Sequence, residues 1–73
     1  MAALKWSDTD EIGFQLSEEF PEIDPMTIRF TDLRARVLEL AEFADDPVAS
    51  SESALEAIQM AWAGYHRQRK GIR

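Results

Sequence analysis

The chain has 73 residues, 45% of them apolar, and its 14 acidic and 8 basic side chains give a formal charge of −6. This length suits one small domain, and a sequence without cysteine excludes disulfide bonds and thiolate metal sites. No apolar run approaches the ~20 residues of a membrane span, and the first residues resemble no secretory signal, so we expect a soluble cytoplasmic protein.

The charge is unevenly distributed along the chain. Residues 1–63 carry 14 acids against 4 bases, a net charge of −10, whereas residues 64–73 carry four bases and no acid. Such an acidic body repels phosphates and attracts cations and basic protein surfaces. We therefore expect a monomer that binds neither nucleic acid nor membranes, with a domain over residues 1–65 and a basic, flexible tail over residues 66–73.

The first predicted element is an amphipathic helix over residues 8–20. Ser7 suits its N-cap position, and Pro21 disfavours further helix. Apolar side chains recur every four residues and form one stripe, which consists of Ile12, Leu16 and Phe20. This helix is expected to bury the stripe and to expose its other side.

The middle of the chain predicts a short strand and a second helix. Residues 27–30 alternate polar and apolar side chains, as in a β-strand. Residues 32–42 follow as a helix with Thr31 as its cap, and the predicted buried stripe is Leu33, Val37 and Leu40. In the loop after this helix, Phe43 is expected to fold back into the core.

The third predicted helix starts between Ser51 and Ser53, where Ser53-x-x-Glu56 is one candidate capping box, and it ends near Tyr65. Three helices and one short strand in this order indicate a compact, mainly α domain of winged-helix-like architecture. The predicted core consists of Trp6, Ile12, Leu16, Phe20, Ile28, Phe30, Leu33, Val37, Leu40, Phe43, Leu55, Ile58 and Trp62.

Catalytic and nucleic-acid-binding patterns are missing from the sequence. The single histidine, His66, falls in the expected tail, where a catalytic base would not be held rigidly. The three glycines are isolated, so they form no phosphate-binding loop. The third helix carries Glu52 and Glu56, where a DNA-recognition helix needs basic or amide side chains. We therefore expect neither an enzyme nor a DNA-binding protein.

An acidic surface on the first helix is the feature that remains. Glu11 and Glu18 are seven residues apart, nearly superposed on the helix, and face away from the apolar stripe with Phe14 between them. Two interpretations stay open: a solvated face that keeps the protein soluble, or a docking face for a basic partner with Phe14 as an anchor. Its carboxylates suit hard cations, although any site would be open and weak.

Several strings of the sequence carry a more specific signal. They are LKWSD at 4–8, EIG at 11–13, FPEIDP at 20–25, TIRFTDL at 27–33, DDP at 45–47 and LEAI at 55–58, with Trp62 after them. Together they resemble the IscX family of iron–sulfur cluster assembly accessory proteins. The basic residues at the end of the chain depart from that pattern. They could shield the acidic face, contact a different partner, or have no role.

The resemblance implies a function as well as a helical, winged-helix-like fold. It implies an adaptor or regulator that binds the cysteine desulfurase, with the assembly scaffold as a second candidate partner, and that binds iron weakly through exposed carboxylates. The alternative is an iron carrier that donates iron to the scaffold. The candidate metal ligands are Glu11, Asp45, Asp46 and Asp8. The candidate partner-binding residues are Asp8, Glu11, Phe14, Glu18, Glu19, Glu22, Asp45 and Asp46.

Overall fold

A computed structural model describes residues 3–71 of the chain, and the side chains as far as Arg69. Three α-helices account for most of these residues: α1 spans Thr9–Glu19, α2 spans Phe30–Glu39 and α3 spans Glu52–Gly71. Two short 3-10 helices lie between them, at Pro25–Thr27 and Pro47–Ala49. The predicted mainly α, three-helix class is confirmed, and the winged-helix-like comparison stays a prediction. Within the described range, no helix is both long and apolar enough to cross a bilayer.

The core lies where α1 packs against α3, with α2 in contact with both. Ile12 and Leu16 of α1, and Trp62 of α3, have no exposed surface. Every side chain predicted for the core is buried or half-buried there. Leu4 is buried with them, although the sequence analysis did not assign it to the core.

α1 and α3 approach each other most closely at Gly13. A β-carbon at this position would lie 2.6 Å from the β-carbon of Ala61 and 2.7 Å from the backbone nitrogen of Trp62. Contacts this short are repulsive, so any residue other than glycine would force the two helices apart. The close approach places the second half of α3 directly beside the exposed side of α1.

The N-terminal segment pairs with the loop after α2. The N–H of Leu4 donates to the carbonyl oxygen of Glu42 at 2.8 Å, and the Leu4 carbonyl oxygen accepts from the N–H of Ala44 at 2.9 Å. The ring of Trp6 packs edge-on against that of Phe43, with centroids 4.7 Å apart. Phe43 therefore folds back into the core, as predicted.

The predicted strand at residues 27–30 is wrong. The carboxylate of Asp24 accepts a hydrogen bond from the N–H of Met26 at 3.0 Å and starts a 3-10 helix instead. Ile28 and Arg29 are extended, but a strand also needs a neighbour to form a ladder of hydrogen bonds. The described part of the chain places no strand beside them, since its one β-bridge lies elsewhere.

Several predicted helix boundaries also differ from the structure. α1 follows Asp8 rather than Ser7, and no side chain caps it. α2 begins at Phe30, with the extended residue Arg29 at its N-cap, so Thr31, the predicted cap, lies inside the helix. α3 starts in the predicted range, although the capping hydroxyl is that of Ser51, which accepts from the N–H of Ala54 at 3.1 Å.

α3 also continues beyond Tyr65, where the sequence analysis predicted its end. The residues that follow are mostly good helix formers, and basic side chains favour the negative end of the helix dipole. The flexible tail predicted for residues 66–73 is therefore helical as far as residue 71. Arg73 and the side chain of Lys70 lie outside the described residues.

Candidate functional site

The outward side of α1 carries the predicted acidic surface. The buried residues of this helix are Ile12, Gly13, Leu16 and Ser17. Glu11 and Glu18 lie on the opposite side, about two turns apart, and both are exposed. Phe14 lies between them with 37% of its surface exposed. These three side chains, called the α1 face below, are brought together as the sequence predicted.

Tyr65 of α3 supports one edge of the α1 face. Its ring meets that of Phe14 edge-on, with centroids 5.3 Å apart, and its hydroxyl donates to Oδ2 of Asp10 at 2.9 Å. This hydrogen bond is the main reason why the pKa of Tyr65 is raised above its ordinary value. Partial desolvation and the negative charges of Asp10 and Glu11 act in the same direction.

Arg69 reaches the α1 face from the last turns of α3. Its Nη2 lies 2.9 Å from Oε2 of Glu18, and its Nε donates to the hydroxyl of Ser17 at 3.3 Å. Ser17 is fully buried, and its own hydroxyl proton is donated to the carbonyl oxygen of Phe14 at 2.7 Å. Of the three roles considered for the basic end of the chain, this contact matches the shielding of the acidic surface.

Asp45 has a structural role that the sequence analysis did not assign to it. Its Oδ2 accepts from the backbone N–H of Trp6 at 3.0 Å, and its Oδ1 accepts from the N–H of Asp46 at 2.7 Å. These two hydrogen bonds, in that order, hold the pKa of Asp45 below its ordinary value because they stabilise the charged form. The carboxylate therefore fastens the N-terminal segment to the loop.

Asp46 also joins this loop to the N-terminal segment, and the contacts of Asp45 and Asp46 with Trp6 are called the clasp below. Its carbonyl oxygen accepts from the indole Nε1 of Trp6 at 2.7 Å, while its carboxylate caps the N–H of Val48 at 3.0 Å. Asp8 also closes a local turn, since its carboxylate accepts from the N–H of Lys5 at 2.9 Å. Three of the four candidate iron ligands thus already hold backbone N–H groups, and Glu11 is the fourth.

The remaining candidates extend the acidic surface beyond the α1 face. Glu19 and Glu22 are exposed at and after the end of α1. The structure adds Glu42, which the sequence analysis did not select, because the amide of Gln15 on α1 lies 3.4 Å from its carboxylate. No pattern in the sequence indicates this neighbour, since it depends on the path of the loop after α2.

The candidate iron ligands do not form a preassembled metal centre. In the range 3–71, no group of three or more His, Cys, Asp or Glu side chains is arranged to hold a metal ion. Glu11, Asp45 and the other candidates are therefore available only as separate carboxylates at the surface. Separate carboxylates suit a hard cation, but they supply few ligands at a time.

His66 is placed differently from the expectation of a solvated tail residue. It lies on α3, half-buried, and its Nδ1 is buried without a hydrogen-bond partner among the described residues. It lines a shallow groove with a volume of about 190 Å³, together with Asp24, Pro25, Met26, Ala63 and Arg67. The groove lies beside the first 3-10 helix and does not include the α1 face.

Comparison with known proteins gives a consistent result. Residues 4–66 match the model of a family described as iron-sulphur cluster assembly. The chain is also 57% identical over 60 residues to an uncharacterized protein of Pseudomonas aeruginosa, an alignment that covers 82% of this chain and 91% of that protein. Both the α1 face and the clasp formed by Asp45 and Asp46 lie inside the matched range.

Proposed function

The chain belongs to the iron–sulphur cluster assembly family, which confirms its resemblance to the IscX proteins, and from this premise we propose that it is an adaptor of cluster assembly that regulates the cysteine desulfurase. It docks on that enzyme in the cytoplasm through the α1 face and its acidic surroundings, and it performs no chemistry itself. The assembly scaffold is a second possible partner within the same proposal. Iron associates weakly with the exposed carboxylates.

The arrangement of the α1 face is the observation that supports docking. Glu11 and Glu18 flank an exposed aromatic ring on the outward side of α1, which Tyr65 and Arg69 of α3 border at one edge. Glu42 adds a further carboxylate nearby. An aromatic side chain ringed by charges of one sign is typical of a protein interface, in which the aromatic residue contributes affinity and the charges guide association. The matching surface on the partner is basic.

Charge reversal on the α1 face tests this proposal. The double variant Glu11→Lys/Glu18→Lys should bind the desulfurase at least about tenfold more weakly than the wild type at moderate salt, because both charges then repel a basic surface. The matched control is Glu52→Lys/Glu56→Lys, which changes the net charge equally on an exposed part of α3. Circular dichroism should show native helix content in both variants.

The comparison of the two double variants decides the outcome. Equal loss of affinity in both would mean that only net charge matters, and it would contradict docking through the α1 face. The single variant Glu11→Lys tests the effect of charge on affinity without breaking a contact, because Glu11 makes no side-chain hydrogen bond within residues 3–69. It should show part of the loss without disturbing α3.

The iron component of the proposal has its own test. Titration of ferrous iron, followed by NMR, should broaden resonances first near Glu11, Asp45 and Asp46, because paramagnetic broadening falls steeply with distance from the bound ion. Uniform broadening over the chain would contradict a defined iron-binding surface. The alternative function, an iron carrier for the scaffold, further requires that the loaded chain increase cluster formation on the scaffold when docking on the desulfurase is disrupted by Glu18→Lys, a change outside the candidate iron ligands.

A further inference from the structure

The contact between Arg69 and α1 has the geometry of a binding subsite. One edge of the guanidinium group faces two acceptors on consecutive residues: Nε meets the hydroxyl oxygen of Ser17 at 3.3 Å, and Nη2 meets the carboxylate of Glu18 at 2.9 Å. The hydroxyl proton of Ser17 is already donated to Phe14, so the oxygen presents only lone pairs to Arg69. Both acceptors are therefore oriented toward a donor with two N–H groups.

From this geometry we infer that Ser17 and Glu18 form a seat for an arginine side chain, which Arg69 fills in the free protein and an arginine of the basic partner fills in the complex. This inference rests on the proposed function for the identity of the partner. The seat itself is a property of this chain and can be tested without the partner.

The chemistry of the seat favours arginine over lysine. A guanidinium group is planar and offers two N–H donors along one edge, whereas an ammonium group is a compact point charge that cannot keep both contacts in the same fixed geometry. Ser17 is rigid because it is fully buried in α1. A rigid hydroxyl beside an exposed carboxylate therefore selects for shape as well as for charge.

The intramolecular contact is weak enough to be displaced. The Arg69 and Glu18 side chains keep 41% and 53% of their surface exposed, and exposed ion pairs contribute little because water and salt screen them. Arg69 also lies close to the end of the described part of α3, so its release need not disturb the buried contacts near Gly13. A partner arginine thus competes with Arg69, which belongs to the same chain and is held only weakly in the seat.

Competition of this kind lowers the apparent affinity of the partner. If the seat is filled most of the time, only the open fraction of molecules is ready to bind. For an exposed ion pair of ordinary strength, removing Arg69 should increase affinity about threefold to sixfold. Arg69 therefore lowers the apparent affinity for the partner instead of increasing it.

Binding measurements with three variants test the competition. Arg69→Ala should bind the desulfurase about threefold to sixfold more tightly than the wild type. Arg67→Ala is the matched control, since it removes the same charge two residues before Arg69. The Arg67 side chain lines the groove near His66 and not the α1 face. Arg69→Lys should fall between the wild type and Arg69→Ala. Equal gains for Arg67→Ala and Arg69→Ala would overturn the competition, because net charge alone would then explain both.

A measurement without the partner tests the seat. Argininamide added to Arg69→Ala should shift the backbone NMR resonances of Ser17 and Glu18, and lysinamide at the same concentration should shift them much less. The same additions to the wild type should have a smaller effect, because Arg69 occupies the seat. Equal shifts with argininamide and lysinamide would overturn the inference.

The two sets of measurements separate the possible failures. If the wild type and every variant fail to bind the desulfurase while argininamide still selects Ser17 and Glu18, the proposed function is wrong and the arginine seat stands. If binding occurs and responds to charge reversal at Glu11, but Arg69→Ala gains nothing and argininamide is not selected, the proposed function stands and the seat is wrong.

Discussion

The only tyrosine of the chain donates its phenolic proton to a carboxylate on another helix, with Oη of Tyr65 lying 2.9 Å from Oδ2 of Asp10. The hydrogen bond stabilises the protonated phenol and raises the pKa of Tyr65 above the ordinary value of 10.0. The folded protein therefore holds this proton more tightly than the unfolded chain does. The contribution of this hydrogen bond to the stability of the fold is complete below pH 10 and is lost as the pH rises through the raised pKa of Tyr65.

Titration of Tyr65 by ultraviolet absorbance measures this effect directly, because no other tyrosine contributes. Asp10→Asn should lower the pKa of Tyr65 toward its ordinary value, since the negative acceptor is removed. Glu11→Gln should lower it less, because Glu11 acts only through its charge and is the smallest of the causes. Identical titration midpoints in the wild type and Asp10→Asn would contradict the hydrogen bond.

Two glycines predict opposite effects of the same substitution. Gly13→Ala should lower the free energy of unfolding by about 1–3 kcal/mol, because the new methyl group overlaps Ala61 and the backbone at Trp62. Gly64→Ala should raise it by up to about 1 kcal/mol, since alanine favours helix and a β-carbon there meets no atom within 4 Å. Urea unfolding followed by tryptophan fluorescence measures both, and a stabilised Gly13→Ala would contradict the close approach of α1 and α3.

The clasp around Asp45 predicts a dependence of stability on acid. Because the pKa of this carboxyl group is lowered in the folded protein, the unfolded chain binds protons first as the pH falls. The stabilisation by Asp45 is therefore complete above its ordinary pKa of 3.8 and is lost as the pH falls through the lowered value. Asp45→Asn should be less stable than the wild type at neutral pH, and its stability should fall less below pH 3.8.

Asp32→Asn is the comparison for that experiment, because it removes the same charge from an exposed aspartate in the first turn of α2, away from the clasp. Chemical unfolding at a series of pH values gives both profiles. If Asp45→Asn and the wild type lost stability in parallel on acidification, the two backbone hydrogen bonds of Asp45 would not be the cause.

Phe14 predicts a separation between binding and folding. Phe14→Ala should weaken binding to the desulfurase by more than about 1 kcal/mol if the ring is an anchor. The free energy of unfolding should fall by only about 1 kcal/mol, since the ring contributes an aromatic pair with Tyr65 but is partly exposed. Met60→Ala removes another exposed apolar side chain, on α3, and should leave binding unchanged. Equal binding by Phe14→Ala and the wild type would contradict the anchor.

The helices could be predicted from the sequence because their stripes depend on local spacing. Ile12 and Leu16 are buried as the spacing of four indicates. The prediction failed at Ile28 and Arg29, whose extended conformations match the alternating pattern but which have no neighbouring strand in the described structure. Extended backbone is a local property, whereas pairing requires a second segment that the local pattern does not specify.

The composition of the α1 face followed from the sequence, but its neighbours did not. Tyr65 and Asp10 are separated by 55 residues, and Arg69 and Glu18 by 51 residues. Both contacts exist because Gly13 lets α3 lie close to α1 along its length. An isolated glycine in a helix gives no indication of its packing partner, so the resulting contacts could not be assigned in advance.

The close packing of α1 against α3 has a consequence for synthesis on the ribosome. α1 is made before α3, and the side chains that cover Ile12 and Leu16 come largely from α3. The nascent chain therefore carries an uncovered apolar stripe until α3 has been synthesised, and incomplete chains with exposed apolar surface commonly associate. By then residues 1–63 already carry their net charge of −10, from 14 acids and 4 bases, which makes neighbouring nascent chains repel one another.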